Sequence, residues 1–130
     1  MNTPTSLSFD EPRLFRALDD ASAAELDELD FGVIGFDADG VVQAYNSFEA
    51  RSAGLSMEQV MGHALFTVVA PCMNNYLVAQ RFDDAAAQGI ALDVTIDYVL
   101  TLRMRPVKVK LRLLAAPGAA LRFVLVLRRA

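Results

Sequence analysis

The stretch Phe31-Gly32-Val33-Ile34-Gly35-Phe36, then Asp37-Ala38-Asp39-Gly40, then Val41-Val42-Gln43-Ala44-Tyr45, decides the fold class. Two extended runs flank a polar segment ending in Asp-Gly, the composition of a tight β-hairpin. Helix punctuation follows at once. Asn46 offers an N-cap for a helix running to about Ala53, and Gly54 ends it. Ser56 and Gln59 fit a capping box, with Gly62 closing that short piece. Residues 64–75 resist assignment: Phe66-Thr67-Val68-Val69 could extend, but Ala70-Pro71-Cys72 interrupts. Tyr76 to Ala87 has helical spacing, with Tyr76, Ala79, Phe82 and Ala86 toward one side. Three strands are expected beyond it: Ala91 to about Arg103, Val107 to Leu114, and Leu121 to Leu127. Val107, Val109, Leu111 and Leu113 alternate with Lys108, Lys110 and Arg112, which predicts one buried and one wet sheet face. Two strands, a helix cluster and three more strands make an α+β domain with an antiparallel sheet and helices gathered on one side.

Working outward, residues 1–30 read as two short helical pieces. Leu14, Phe15 and Leu18 form one apolar face, and Ser22 with Glu25 fits a capping box ahead of Leu26 and Leu29. So short a pair needs something to pack on, which makes it an amino-terminal cap on a main domain of residues 31–130. The whole chain has 130 residues, 54% of them hydrophobic, enough for one real core. Its net charge of -4 argues against nucleic acid as a partner, since a phosphate-binding surface needs a basic field. Residues 1–60 carry 12 acids and 3 bases, and residues 61–130 carry 4 acids and 9 bases, so the two halves attract. That attraction could dock the amino-terminal segment on the sheet, or the charge separation could form a partner surface. No signal-peptide pattern opens the sequence and no apolar run is long enough for a membrane span, so a cytoplasmic placement without a membrane partner is expected.

Few residues offer chemistry. Cys72 has no second cysteine to pair with, which rules out an internal disulfide and a multi-thiolate zinc site. Its thiol has two readings: a thiolate stabilised by the opening of the helix after Asn74-Asn75, or a small buried hydrophobe. Tyr45 and Glu49 stand four apart at a helix entrance. They are either a buried pair of proton donors toward an anionic ligand oxygen, or a solvent-facing glutamate beside a packed tyrosine. His63, the only histidine, could ligate haem but reads more simply as an exposed turn residue, and a Cys72–His63 hydrolase lacks an orienting third group. Arg103, Arg105, Lys108, Lys110 and Arg112 suggest a charged strand face. Met57, Met61, Met73 and Met104, with Phe66, Phe82 and Leu100, suit either an adaptable cavity or ordinary core.

The ordered set Phe31-Gly32-Val33-Ile34, Asp39-Gly40, Tyr45-Asn46 with Glu49, Val69-Ala70-Pro71-Cys72, and then Met104, Pro106 and Lys108-Val109-Lys110 resembles the photoactive yellow protein family, light sensors with the PAS fold. The resemblance covers roughly Asp27 to Arg129. It implies a five-stranded antiparallel sheet with an amino-terminal helical cap, and a 4-hydroxycinnamic acid (p-coumaric acid) chromophore attached as a thioester to Cys72. Its phenolate would be stabilised by Tyr45 and protonated Glu49. Photoisomerisation, proton transfer from Glu49 and release of the cap would then carry the signal to a downstream partner protein. Four positions depart from the family pattern. Ala53 stands where a threonine supports the tyrosine, Leu55 where an arginine gates the pocket, and Leu100 and Leu102 where aromatic residues line it; Arg51 is a candidate substitute gate. The sequence reading is therefore a non-enzymatic blue-light receptor with a chromophore site drawn from Cys72, Tyr45, Glu49, Arg51, Ala53, Leu55, Leu100 and Met104. The alternative is a PAS-like ligand-binding or interaction module without photochemistry.

Overall fold

The computed structural model describes residues 7–101 and 105–128. The elements run α1 (Leu14–Asp20), α2 (Ala23–Leu26), β1 (Gly32–Phe36), β2 (Val42–Tyr45), α3 (Ser47–Ala53), α4 (Met57–Val60), a π-helical turn (Leu65–Val69), a 3-10 turn (Pro71–Met73), α5 (Ala79–Gln88), β3 (Leu92–Leu100), β4 (Val107–Ala115) and β5 (Arg122–Arg128). The strands form one antiparallel sheet in the order β2-β1-β5-β4-β3. The opening hairpin is held by Asp37, whose Oδ1 accepts from the backbone N–H groups of Asp39 and Val41 at 2.9 and 3.0 Å. Gly40 sits at φ +83°, a conformation that an L side chain resists.

Side-chain alternation divides the apolar residues between the two faces of the sheet. Ile34 and Phe36 of β1, Leu111 and Leu113 of β4, and Val124 and Val126 of β5 face α4, α5 and the two turns. Val33, Leu114, Phe123 and Leu125 face the other way, toward the amino-terminal segment. That segment buries Phe9, Leu14, Leu18, Leu26 and Leu29, each 5% exposed or less. At about 1.5–3 kcal/mol per fully buried apolar side chain, this burial is the main force docking the cap.

Arg112 determines where it docks. Its strand parity is that of Lys108 and Lys110, but it lies under the cap and is 5% exposed, so the wet face expected for it is dry at this point. The guanidinium donates from Nη1 to the backbone carbonyls of Phe9 and Glu11 at 2.8 and 2.9 Å, and from Nε and Nη2 to both Asp93 oxygens at 2.9 Å. Of these partners only the neutral carbonyls of Phe9 and Glu11 belong to the first half of the chain; the Asp93 carboxylate lies in the same half as Arg112.

Three local expectations need correction. Residues 66–69 do not extend; they lie in the π-helical turn, where the Val69 and Ala70 N–H groups reach five residues back to Ala64 and Leu65 at 3.1 and 2.7 Å. The last helix starts at Ala79 and not at Tyr76, because Asn75 Oδ1 takes the N–H groups of Leu77 and Val78 in a turn of its own. The buried face of α5 is consequently Ala79, Phe82 and Ala85, with Tyr76 76% exposed and Ala86 exposed. Met57 and Met61 also lie outward, whereas Met73 is core.

If Arg112 registers the cap, the substitution R112M removes two bonds to carbonyls at about 1 kcal/mol each. Trypsin cleavage at the exposed Arg13 and Arg16 should then accelerate roughly thirtyfold while the far-ultraviolet spectrum stays that of the folded chain. An unchanged cleavage rate would remove Arg112 from this role.

Candidate functional site

The corner between β2 and α3 holds the first part of the site. Tyr45 is the last residue of β2 and Glu49 lies within the first turn of α3, so the pair meets across a strand-to-helix corner and does not share a helix turn. The corner is set by Asn46, which is fully buried. Its Oδ1 accepts from Glu49 N at 3.1 Å as the helix cap and from Val33 N at 3.0 Å, and its Nδ2 donates to the carbonyls of Leu26 and Phe31 at 2.9 and 3.0 Å. Asp27 adds a second tie, accepting from Ser47 N at 2.8 Å.

Tyr45 is 4% exposed, and its hydroxyl donates to the Leu55 carbonyl at 3.0 Å. Burial raises its phenol well above the ordinary value; the nearby Glu49 charge pushes the same way and Arg128 opposes it. Glu49 is 1% exposed, so the solvent-facing reading fails for it. Arg128, the last residue of β5, grips it as a fork: Nη1 to Oε1 at 2.7 Å and Nη2 to Oε2 at 3.0 Å. Burial raises the Glu49 carboxyl above its usual range, while the hydrogen bonds and charge of Arg128 pull it down. Room for the carboxyl comes from Gly32, where a Cβ atom would collide with it.

Cys72 forms the second part. It is a free, half-buried thiol in the middle of the 3-10 turn, packed against the same core cluster that contains Tyr45. It does not sit at the N-terminus of α5, which begins only at Ala79. Its carbonyl is held instead: Tyr98 Oη donates to it at 2.6 Å, and Asn75 Nδ2 donates to it at 3.2 Å and to Tyr98 Oη at 2.6 Å. Tyr98 also lines an open cleft of about 1070 Å³ with Leu77, Pro106, Val107 and Val109.

The other expected positions divide. Ala53 and Leu100 are buried, and Leu55 is half-buried on the core and contributes its backbone carbonyl to Tyr45. Arg51 does not join them: it is exposed, with its guanidinium 6.0 Å from the Phe48 ring centroid. Two residues along α3 from Glu49, it is turned about 200° around the helix. Met104 and Leu102 lie outside the described residues. His63 is exposed and uses its backbone carbonyl to accept from Val42 N at 2.9 Å. Among the described residues no group of three or more His, Cys, Asp or Glu could hold a metal ion, and no helix is long and apolar enough to cross a membrane. Arg128, Tyr98 and Asn75 are site residues that the sequence reading missed. Strand parity was the available signal for two of them: Arg128 continues Val124 and Val126, and Tyr98 continues Val94 and Ile96.

Comparison with known proteins agrees with this architecture. The family model described as PAS fold matches residues 26–129, which defines the chain as a PAS-fold domain. A photoactive yellow protein from Rhodothalassium salexigens is 33% identical over 107 residues, 82% of this chain and 85% of that protein. Another, from Halochromatium salexigens, is 35% identical over 97 residues, 75% of this chain and 77% of that protein. Among solved structures, the photoactive yellow protein domain from the sensor histidine kinase Ppr of Rhodospirillum centenum matches with a TM-score of 0.77 at 36% identity, covering 85% of this chain and 96% of that one. The chain belongs to the photoactive yellow protein family of PAS-fold sensory photoreceptors.

Two predictions follow from the Glu49 environment. A carboxyl whose folded value lies above its unfolded one favours the folded state fully below the unfolded value and loses that contribution as pH rises through the folded value. Urea unfolding should therefore show the native chain losing stability relative to E49Q as pH rises above 4.5, the ordinary carboxyl value. A pH-independent difference would count against the raised value. Separately, G32A should cost about 2 kcal/mol in the same assay, because the added methyl and the Glu49 carboxyl compete for one space. In the E49A background that cost should shrink.

Proposed function

We propose that this chain is a blue-light photoreceptor that carries a 4-hydroxycinnamoyl group as a thioester on Cys72, with the phenolic oxygen directed to Tyr45 and Glu49. The observation that carries the reading is the placement of a free, half-buried thiol against the same core as Tyr45, with Glu49 buried beside it, in a chain 33–36% identical to photoactive yellow proteins. The residues present fit such a group. A thiol is the group a thioester requires, and a phenol and a carboxyl are the buried hydrogen-bonding groups. When bound, the group supplies visible absorption and a double bond that light isomerises.

The protein's own residues perform the remaining work. Tyr98 and Asn75 fix the Cys72 carbonyl, which orients the 3-10 turn and therefore the Sγ atom. Tyr45, with its phenol raised far from ionisation, stays a donor across the physiological range. To serve a ligand oxygen its hydroxyl must leave or share the Leu55 carbonyl, and an unpaired buried carbonyl costs about 1–3 kcal/mol. Glu49 donates only in its protonated state. A change of charge on Glu49 is transmitted directly, because the next hydrogen bond back along α3 from its own N–H is to Asn46, which also holds Leu26 of the cap. The receiver of that signal is a downstream protein, in keeping with the kinase setting of the Ppr domain. The residue changes at Ala53, Leu55 and Leu100 tune the colour and rate of this site and leave the attachment atom in place.

A second reading also has an observation behind it. Tyr45 and Glu49 are already partnered by Leu55 and Arg128, as in a PAS-type interaction module that needs no pigment. Loading with an activated 4-hydroxycinnamoyl donor separates the two. The photoreceptor reading expects one acyl group added by intact mass and a visible band, both lost in C72A, with the band displaced in E49Q. A folded chain that acquires no adduct on Cys72 would leave the interaction module.

A further inference from the structure

Arg122 opens β5 at the end opposite Arg128, and its guanidinium is held differently from those of the other arginines in the sheet. Arg112 and Arg128 are each gripped by both oxygens of one carboxylate. Arg122 is half-buried, makes no ion pair among the described residues, and donates from Nη1 to the Asp37 carbonyl at a long 3.3 Å. The Asp37 carboxylate feels its charge but is occupied by the N–H groups of Asp39 and Val41 and by Gln43 Nε2. A guanidinium partly withdrawn from water without a counter-charge is a ready partner for an anion.

Two pockets meet at this side chain. One, of about 250 Å³, is also lined by Asp39 and Asp83, whose charges repel an anion. The other, of about 220 Å³, lies between the end of α5 and the turn joining β4 to β5, and Arg122 is the one charged residue among those described along it. Its walls include Ala85, Ala86, Ile90, Ala115 and Pro117. The backbone around it is already satisfied: the Gly89 and Ile90 N–H groups turn back to the carbonyls of Ala86 and Ala85 at 3.2 and 3.0 Å, and Ala119 N–H closes its turn on the Ala116 carbonyl at 3.2 Å. Gly89 and Gly118 lie open beside it, since a Cβ atom at either would meet nothing within 4 Å.

We propose that this pocket binds a small monocarboxylic acid, its carboxylate on Arg122 and a short aliphatic body against the alanine walls. The class follows from the fit. A planar guanidinium matches the two oxygens of a carboxylate. A bare phosphate would turn its remaining oxygens toward methyl groups, where they lose water without gaining a donor. The volume is below the roughly 300–1,000 Å³ of pockets for drug-sized ligands, which limits the body to a few carbons. The site stands apart from Cys72, Tyr45 and Glu49, so it holds whether or not Cys72 carries a chromophore.

Titration of the isotope-labelled full chain, without pigment, with sodium butyrate, sodium acetate and butyramide tests the assignment, read from the amide resonances of Gly89, Gly118 and Ala119. Butyrate should shift all three saturably. Acetate should do so roughly tenfold more weakly for want of two methylenes, and butyramide not at all. R122Q should weaken butyrate binding roughly tenfold or more by removing the charged donors. A116L, which fills the pocket and keeps the cation, should weaken it as well. The site is overturned by the absence of saturable butyrate shifts, by butyramide or acetate binding as tightly as butyrate, or by full affinity in folded R122Q. The comparison of the three small molecules needs no substitution, so it decides the matter even where R122Q does not fold.

Discussion

One buried carboxamide constrains much of this molecule. Asn46 is surrounded by protein, and a buried amide must find partners for both its oxygen and its nitrogen or pay a desolvation cost of a few kcal/mol. Here each end finds two: the N–H groups of Val33 and Glu49 on the oxygen, and the carbonyls of Leu26 and Phe31 on the nitrogen. The amide is planar, so these four backbone groups cannot shift independently. A strand of the sheet, the first turn of α3 and the end of the cap share one register. Glu49 consequently has one place to go, over the bare backbone of Gly32 and against the end of β5.

That arrangement gives the two faces of the sheet different tasks. The face under α4, α5 and the turns carries Cys72, Tyr45 and Glu49, set into or beside an aliphatic and aromatic core. The opposite face holds the cap by apolar burial and the Arg112 guanidinium. Asn46 and Asp27 are polar links between them, both at the root of the helix that carries Glu49. An electrostatic event at the carboxyl is therefore applied close to the cap's own attachment, without having to cross the sheet.

Much of this was legible in the residues themselves, for a definite reason. The Asp37–Gly40 turn, the Asn46 cap, the glycine stop at Gly54 and the Ser22–Glu25 and Ser56–Gln59 boxes are satisfied within a few residues of themselves, so local sequence determines them. The π-helical turn and the start of α5 depend on which carbonyls lie five residues back and on Asn75 closing its own turn, and neither has a periodic signature. Tyr45, Glu49 and Cys72 stood out through the resemblance, and Asn46 through its capping position. Arg128 and Tyr98 act on partners 79 and 26 residues away, and strand parity alone assigns them a face without naming a partner. Arg112 misled for the same reason: alternation gives its side of the sheet, and only the path of the amino-terminal segment makes that side dry.

The grip of Arg112 has an evolutionary corollary. It holds the carbonyls of Phe9 and Glu11, atoms that every amino acid supplies, and asks nothing of the side chains at those two places. This one tie depends on the path of the backbone, whereas the seat itself is set by the apolar side chains of Phe9, Leu14 and Leu18. Exposed positions of the segment such as Arg13, Arg16 and Asp19 can therefore vary while the buried ones hold it in the same seat.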